Sequence, residues 1–276
     1  MKNSSQNAAS EIYQNRNLLI VIAILVLAAI LRIFLIGNHS LWLDELFSLR
    51  FAGNNLQNLI QDVSLNDNHP PTYYILLHFW ILLFGDTEVS LRMPSAILSV
   101  LSVFFTYKIG AILFDRRVAA IAGLLLALSG FSSYYAQEAR MYSLLAFASV
   151  LSVYCLIRLL EKQTPWSLIN YVWSTTLLVY SHLYGLFILL AENLYVLTIV
   201  LIYSQQPTAI HLKKWLSAQA YVLLLSIPWL VFLINRILIV NEEGFWAETP
   251  TLHSILVTFK TFSGSNRGLI VWVFLL

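Results

Sequence analysis

The chain is short of charge. Only 11% of its 276 residues are Asp, Glu, Lys or Arg, against about 25% in ordinary globular chains. That is too little to solvate the surface of a compact soluble domain, and a mean hydropathy of +0.74 excludes intrinsic disorder. Ten glycines exclude a collagen-like repeat. The one cysteine, Cys155, lies inside an apolar run, so it closes no intrachain disulfide and builds no zinc cage. Glycine-rich phosphate loops, zinc-protease helices and nucleophile elbows are all missing, which argues against a nucleotide-driven motor. Nor is there a sequence repeat of the inverted kind that marks many transporters.

What the chain does have is long apolar runs, with 59% of residues hydrophobic. Runs of about 17–25 such residues cross a bilayer as helices, which satisfy their own backbone hydrogen bonds. Spans are predicted at 17–36, 90–113, 118–133, 141–160, 166–181, 183–203 and 215–236, and an eighth begins near Gly268. The fold class is therefore an all-α polytopic membrane protein with about seven or eight transmembrane helices. The first run is too long for a signal-peptide core and has no small-x-small cleavage site, so it reads as a retained anchor. The sequence ends within an apolar run, 269–276. From this we expect residues 1–276 to be the N-terminal part of a single transmembrane domain that continues.

Charge sets the orientation. The apolar stretch Tyr73–Phe84 is only about a dozen residues long with His78 at its centre, a length typical of re-entrant or interfacial segments. With that stretch at the surface and the N-terminus inside, Arg116, Arg117, Arg158, Lys162, Lys213 and Lys214 all fall on the cytoplasmic side, as the positive-inside rule asks. Letting it span inverts the bias. The same topology puts ten of the fourteen acids outside, so the polar work is expected on the extracytoplasmic face.

Several polar residues sit where an apolar chain has little use for them. The first outer loop, 38–71, opens with Leu41–Arg50, whose apolar residues have helical spacing and whose first turn holds Asp44 and Glu45. A short juxtamembrane helix is predicted. Its acids are either simply dipole-favoured or chemical. The Pro70–Pro71 pair stiffens the backbone after His69 and aims its imidazole, unless it only starts a helix. Arg92 either snorkels to the interface or receives an anion, for which a guanidinium suits phosphate. The stretch Tyr134–Ser143 interrupts two apolar runs with Glu138, Arg140 and three tyrosines. On a continuous helix Tyr135, Glu138 and Tyr142 share a face while Arg140 points elsewhere, so both charges reach one site only if the backbone unwinds there. His182 belongs to the next outer hairpin and can reach the same mouth. Glu192 and Asn193, within a span, are open between an interhelical bond and a polar path.

This ordered set resembles a known pattern: a carboxylate pair after the first span, His-Pro-Pro, Arg-x-Pro-Ser, then Tyr-Ala-Gln-Glu-Ala-Arg-Met-Tyr. It resembles the GT-C membrane glycosyltransferases of family 39, which include protein O-mannosyltransferases and the aminoarabinose and galacturonic acid transferases acting on lipopolysaccharide. The resemblance runs from about Leu18 to Tyr184. It implies inverting transfer of a sugar from a polyprenyl-phosphate donor to a hydroxyl of a glycan, lipid or protein acceptor, in an extracytoplasmic site of a bacterial inner membrane. No nucleic acid is involved. It further implies a catalytic acid at Asp44 with Glu45 beside it. His69, Arg92, Glu138, Arg140, Tyr142 and His182 are the candidates for the donor's phosphate and sugar. Some relatives place a lysine or a metal ligand near the His-Pro-Pro. No lysine stands there in this chain, and a divalent metal is left open as the only cofactor. The alternative class is a transporter or flippase of a lipid-linked sugar, which needs polar groups along a continuous path rather than clustered at one face.

The orientation is testable by thiol labelling in a Cys155→Ser background. A cysteine at Gln57 is expected to react with a membrane-impermeant maleimide from outside, and one at Gln163 only after permeabilisation. The reverse pattern inverts the topology.

Overall fold

The computed structural model describes residues 2–202, 212–243 and 251–262, and every regular element among them is an α-helix. In chain order they are α1 (Lys2–Ile33), α2 (Leu43–Ala52), α3 (Leu56–Asn66), α4 (Thr72–Phe84), α5 (Glu88–Leu113), α6 (Arg116–Leu128), α7 (Gly130–Ala136), α8 (Tyr142–Lys162), α9 (Pro165–Val179), α10 (Gly185–Ile202), α11 (Leu212–Glu243) and α12 (Leu252–Phe262). Five are long and apolar enough to cross a membrane: α1, α5, α8, α10 and α11. The pair α6 and α7, bent by 58° at Ser129, makes a sixth if taken as one broken span. The continuous span expected at 118–133 is thus broken. The segment expected at 166–181 is α9, whose 15 residues fall short of a straight crossing, so the count by length is lower than the seven read from the sequence. The run beginning near Gly268 lies outside the described residues.

Local sequence explains the boundaries. Asn55 caps α3 by accepting from the Asn58 N–H, and Asp115 caps α6 by accepting from the Arg117 and Val118 N–H groups. Thr164 followed by Pro165 starts α9, with a preset φ just where a helix needs no N–H donor. Gly85 ends α4 at φ 77°, a conformation that a side chain would strain.

Three packed clusters hold the helices. At the membrane core Ile24 and Ala28 of α1 meet Val103 of α5 and Ala127 of α6. There α5 and α6 approach so closely at Gly110 that a Cβ would stand 2.8 Å from the Ala119 Cα. A second cluster joins α8, α9, α10 and α11 through Leu156, Tyr171, Val196 and Val222. Between them the Tyr171 hydroxyl donates to Glu192, and Gln219 donates to Tyr171. That is the interhelical bond of the two choices left open for Glu192. The third cluster lies at the end of the bundle that carries α2–α4. Phe51, Leu59, Val63, Tyr73, Tyr74 and Leu77 of α2–α4 pack over Leu91 and Leu144, in the first turns of α5 and α8. The two juxtamembrane helices and the short α4 therefore form a lid of fixed position over the bundle.

The break at Ser129 has a specific partner. At the bend Arg32 of α1 donates to the Ala127 carbonyl and to the Leu126 carbonyl, which also accepts the Ser129 N–H, at 3.1 Å each. It also donates to Ser99 at 2.7 Å and Ser132 at 3.0 Å. This guanidinium is fully buried and forms no ion pair among the described residues. Its charge is met by the negative ends of two helices, α1 and α6. Replacing Arg32 with Met should cost roughly 1–3 kcal/mol for each carbonyl left without a donor. The variant is expected to melt well below wild type in detergent while Ser99→Ala loses far less, and equal melting of all three proteins would remove Arg32 from this role.

Candidate active site

The helix α2 presents two neighbouring carboxylates in different directions, since adjacent helical residues are turned about 100° apart. Glu45 points into the protein and is fully buried. Its Oε1 accepts from Arg92 Nε at 2.8 Å and from the Ala139 N–H at 2.9 Å, and its Oε2 accepts from Arg92 Nη2 at 2.7 Å and the Trp42 N–H at 3.3 Å. Burial alone would raise this carboxyl, but the Arg92 guanidinium and the Ala139 N–H outweigh it and the net shift is downward. Arg92 spends its remaining N–H groups on the carbonyls of Ile36, His39 and Ser40. One pair therefore clasps the whole 36–45 stretch to α5 and to the turn at Ala139.

Asp44 points the other way. Its side chain is 34% exposed and its Oδ2 lies 3.9 Å from Arg140 Nε. Between α7 and α8 the helix is unwound through residues 137–141, which turns both Glu138 and Arg140 inward, and both are buried. Arg140 Nη1 donates to the Tyr74 hydroxyl at 2.9 Å and lies within 3.5 Å of Ser48 Oγ and 3.4 Å of the Asp44 carbonyl. Among the described residues its Nε has no hydrogen-bond partner, and neither does Glu138 Oε2. Burial raises the Glu138 carboxyl, the Tyr134 hydroxyl opposes this, and the nearby Glu45 and Asp44 charges add to the rise. Two orphaned polar atoms of opposite character thus share one buried turn.

From Arg140 the network continues outward. The Tyr74 hydroxyl donates to Asp67, which also receives His69 Nδ1–H at 2.7 Å. The His69 ring stands 4.7 Å from that of His182, which in turn faces Tyr184 at 4.8 Å and Tyr142 at 6.1 Å. Arg236 of α11 closes the edge, donating to Asn68 Oδ1 at 2.9 Å and to the Leu65 carbonyl at 2.8 Å. Below the mouth, Tyr135, Tyr142 and Tyr184 also line a cavity of about 650 Å³, which runs along α5, α7 and α8 past Ser99, Ser132 and Leu145.

Each residue singled out in the sequence thus has a place. Asp44, His69, Glu138, Arg140, Tyr142 and His182 gather around the mouth, while Glu45 and Arg92 sit underneath, consumed by one another and by backbone. The sequence reading missed Asp67, Tyr74, Arg236 and the buried Arg32. Asp67 carried a signal, since an acid two residues before a histidine can reach its Nδ1. Among the described residues no three His, Cys, Asp or Glu side chains converge as metal ligands. The divalent metal left open above is given no residues here, and no step is routed through one.

The sequence profile of the dolichyl-phosphate-mannose-protein mannosyltransferase family matches residues 68–232, more than half of the chain. The chain belongs to this family. No curated protein matches it. As a member of a mannosyltransferase family with several membrane-length apolar helices, it is an integral, multi-pass membrane glycosyltransferase. The family match begins next to His69 and takes in Arg92, Glu138, Arg140, Tyr142 and His182, but stops short of Asp44, Glu45 and Arg236.

The Glu45–Arg92 pair makes a pH prediction. A carboxyl lowered by folding adds stability above its ordinary value, about 4.3. That stability is lost as pH falls through the lower, folded value. Melting temperature should hold from neutral pH to about pH 4.3 and drop below it, and the drop should shrink in Glu45→Gln. Arg92→Met leaves a buried carboxylate alone and should cost about 3–5 kcal/mol. The double variant Glu45→Gln/Arg92→Met should recover part of that loss. Additive losses would mean that the pair is not coupled.

Proposed function

We propose that this protein transfers a sugar, with inversion, from a polyprenyl-phosphate donor to a hydroxyl on the extracytoplasmic face of a bacterial inner membrane. The observation that carries this reading is the pair of orphaned buried atoms, Arg140 Nε and Glu138 Oε2, beside a half-exposed carboxylate and next to a largely apolar cavity that Tyr135 and Tyr142 line. A donor with a charged head and an isoprenoid tail needs both halves of that arrangement.

In this mechanism the acceptor hydroxyl attacks the anomeric carbon and gives its proton to Asp44. The bond from the anomeric carbon to the phosphate oxygen breaks, and its electron pair stays on the phosphate. Arg140 faces that developing charge from a buried position, where fixed donors act most strongly, and Arg236 approaches from the edge. Glu138 and Tyr142 meet sugar hydroxyls. The tail lies in the cavity below Tyr142. Glu45 and Arg92 do not touch substrate in this scheme; they hold α2 so that Asp44 faces Arg140. Clustering of these groups at one end of the bundle favours a transferase over a transporter.

The test is an Asp44→Asn allele of the full-length gene in its own host, with membrane lipids and glycans profiled by mass spectrometry. A polyprenyl-phosphate sugar is expected to accumulate while one glycan loses a residue. Transfer by the isolated variant should fall by about 10²–10⁴-fold, the usual contribution of a positioned base. Unchanged lipids and glycans at normal protein level would overturn the assignment of Asp44.

A further inference from the structure

The two imidazoles at the mouth are held by different atoms, and this decides which proton each carries. Asp67 Oδ1 accepts from the His69 backbone N–H at 3.1 Å and lies 2.7 Å from His69 Nδ1, while Oδ2 accepts from the Tyr74 hydroxyl. Burial of Asp67 opposes its ionisation, but the His69 and Tyr74 bonds outweigh it and keep the carboxyl below its ordinary range. An ionised carboxylate only accepts. Nδ1 of His69 therefore carries a proton, and with that proton alone the ring presents a bare lone pair at Nε2. His182 is arranged the opposite way. Its Nδ1 accepts from the Tyr184 N–H at 3.0 Å, so its own proton sits on Nε2. Burial, with the Arg140 charge nearby, pushes His182 down to about 4, and it stays neutral at physiological pH. The rings are 4.7 Å apart and tilted by 56°, placing an acceptor nitrogen and a donor nitrogen on neighbouring rings.

Such a pair discriminates between functional groups. A hydroxyl donates and accepts, so it satisfies both nitrogens. A carboxylate can only accept and sets its lone pairs against His69. An ammonium can only donate and meets the N–H of His182. We propose that His69 and His182 form a hydroxyl-reading pair, with Asp67 as the positioning residue that fixes the His69 tautomer. The pair selects a neutral, hydroxyl-bearing sugar group and rejects a uronate or an amino-sugar ammonium at that position. This rests on the transferase reading above and narrows its substrate class. The hydroxyl belongs to the donor sugar or to the acceptor, and the experiment separates the two.

One readout needs no turnover. The full chain, with its six histidines labelled with nitrogen-15 and embedded in nanodiscs, is examined by long-range nitrogen–proton NMR at neutral pH. Signals are assigned with His69→Gln and His182→Gln. The expected spectra show His69 protonated at Nδ1 and His182 at Nε2, with Asp67→Asn abolishing the His69 preference alone. Methyl α-mannoside should shift both Nε2 signals and methyl glucuronate neither. Identical tautomers, a doubly protonated His69, or equal response to both sugars overturns the proposal.

The second readout is transfer from polyprenyl-phosphate mannose and its monodeoxy analogues. Removing one hydroxyl should lower kcat/KM roughly 10- to 100-fold in wild type, and this penalty should vanish in His69→Gln/His182→Phe. If it vanishes for deoxy acceptors instead, the hydroxyl is the acceptor's. Penalties that the double variant leaves intact for every hydroxyl on both substrates overturn the pair. A wild type that uses none of these donors counts against the transferase reading, while the spectra still decide the tautomers.

Discussion

Glu45 and Arg92 meet out of reach of solvent with every polar atom of both head groups taken, and the position of the whole site follows from where they meet. The pair joins three stretches at one point: the loop leaving α1, the first turns of α5 and the unwound turn before α8. A buried ion pair of this kind is weak evidence for net stability, because desolvation consumes much of the attraction. Its value is in geometry. Four bonds from one carboxylate allow α2 a single orientation, and in that orientation the next carboxylate along, Asp44, can only face Arg140.

Around this anchor the site divides its charges by task. Arg92 is neutralised and structural, Arg140 is buried with its Nε unspent, and Arg236 reaches in from the far helix. The acids divide in the same way: Glu45 is consumed, Glu138 is half-used, Asp67 is committed to an imidazole and Asp44 is open to solvent. The proposed catalytic centre needs this sorting, since an uncommitted charge in low dielectric is costly. The orphaned atoms are those for which a substrate would supply the missing partner.

Much of this was readable in the sequence, for identifiable reasons. The all-α membrane class follows from apolar run length, and the juxtamembrane helix at Asp44 from its spacing. The unwound turn at 137–141 follows from two charges that no continuous helix could have aimed together. Other features were not readable because they depend on long-range partners. Nothing near Glu45 distinguishes it from Asp44; Arg92, 47 residues later, does that. Arg236 gains meaning only through Asn68, 168 residues earlier. The bend at Ser129 was hidden because an apolar run reads the same whether straight or broken, and α9 looked like a full crossing because it is largely apolar and only its 15-residue length falls short.

The bend at Ser129 also bears on how the chain is made. Arg32 leaves the ribosome 94 to 100 residues ahead of its acceptors at Leu126, Ala127 and Ser132. During that interval the first helix lies in the bilayer with a bare guanidinium near its outer end, close enough to the headgroups to reach water. Only when the broken helix arrives can the arginine be drawn inward. The anchor that enters the membrane first thus completes its bonds only when a segment translated well after it arrives.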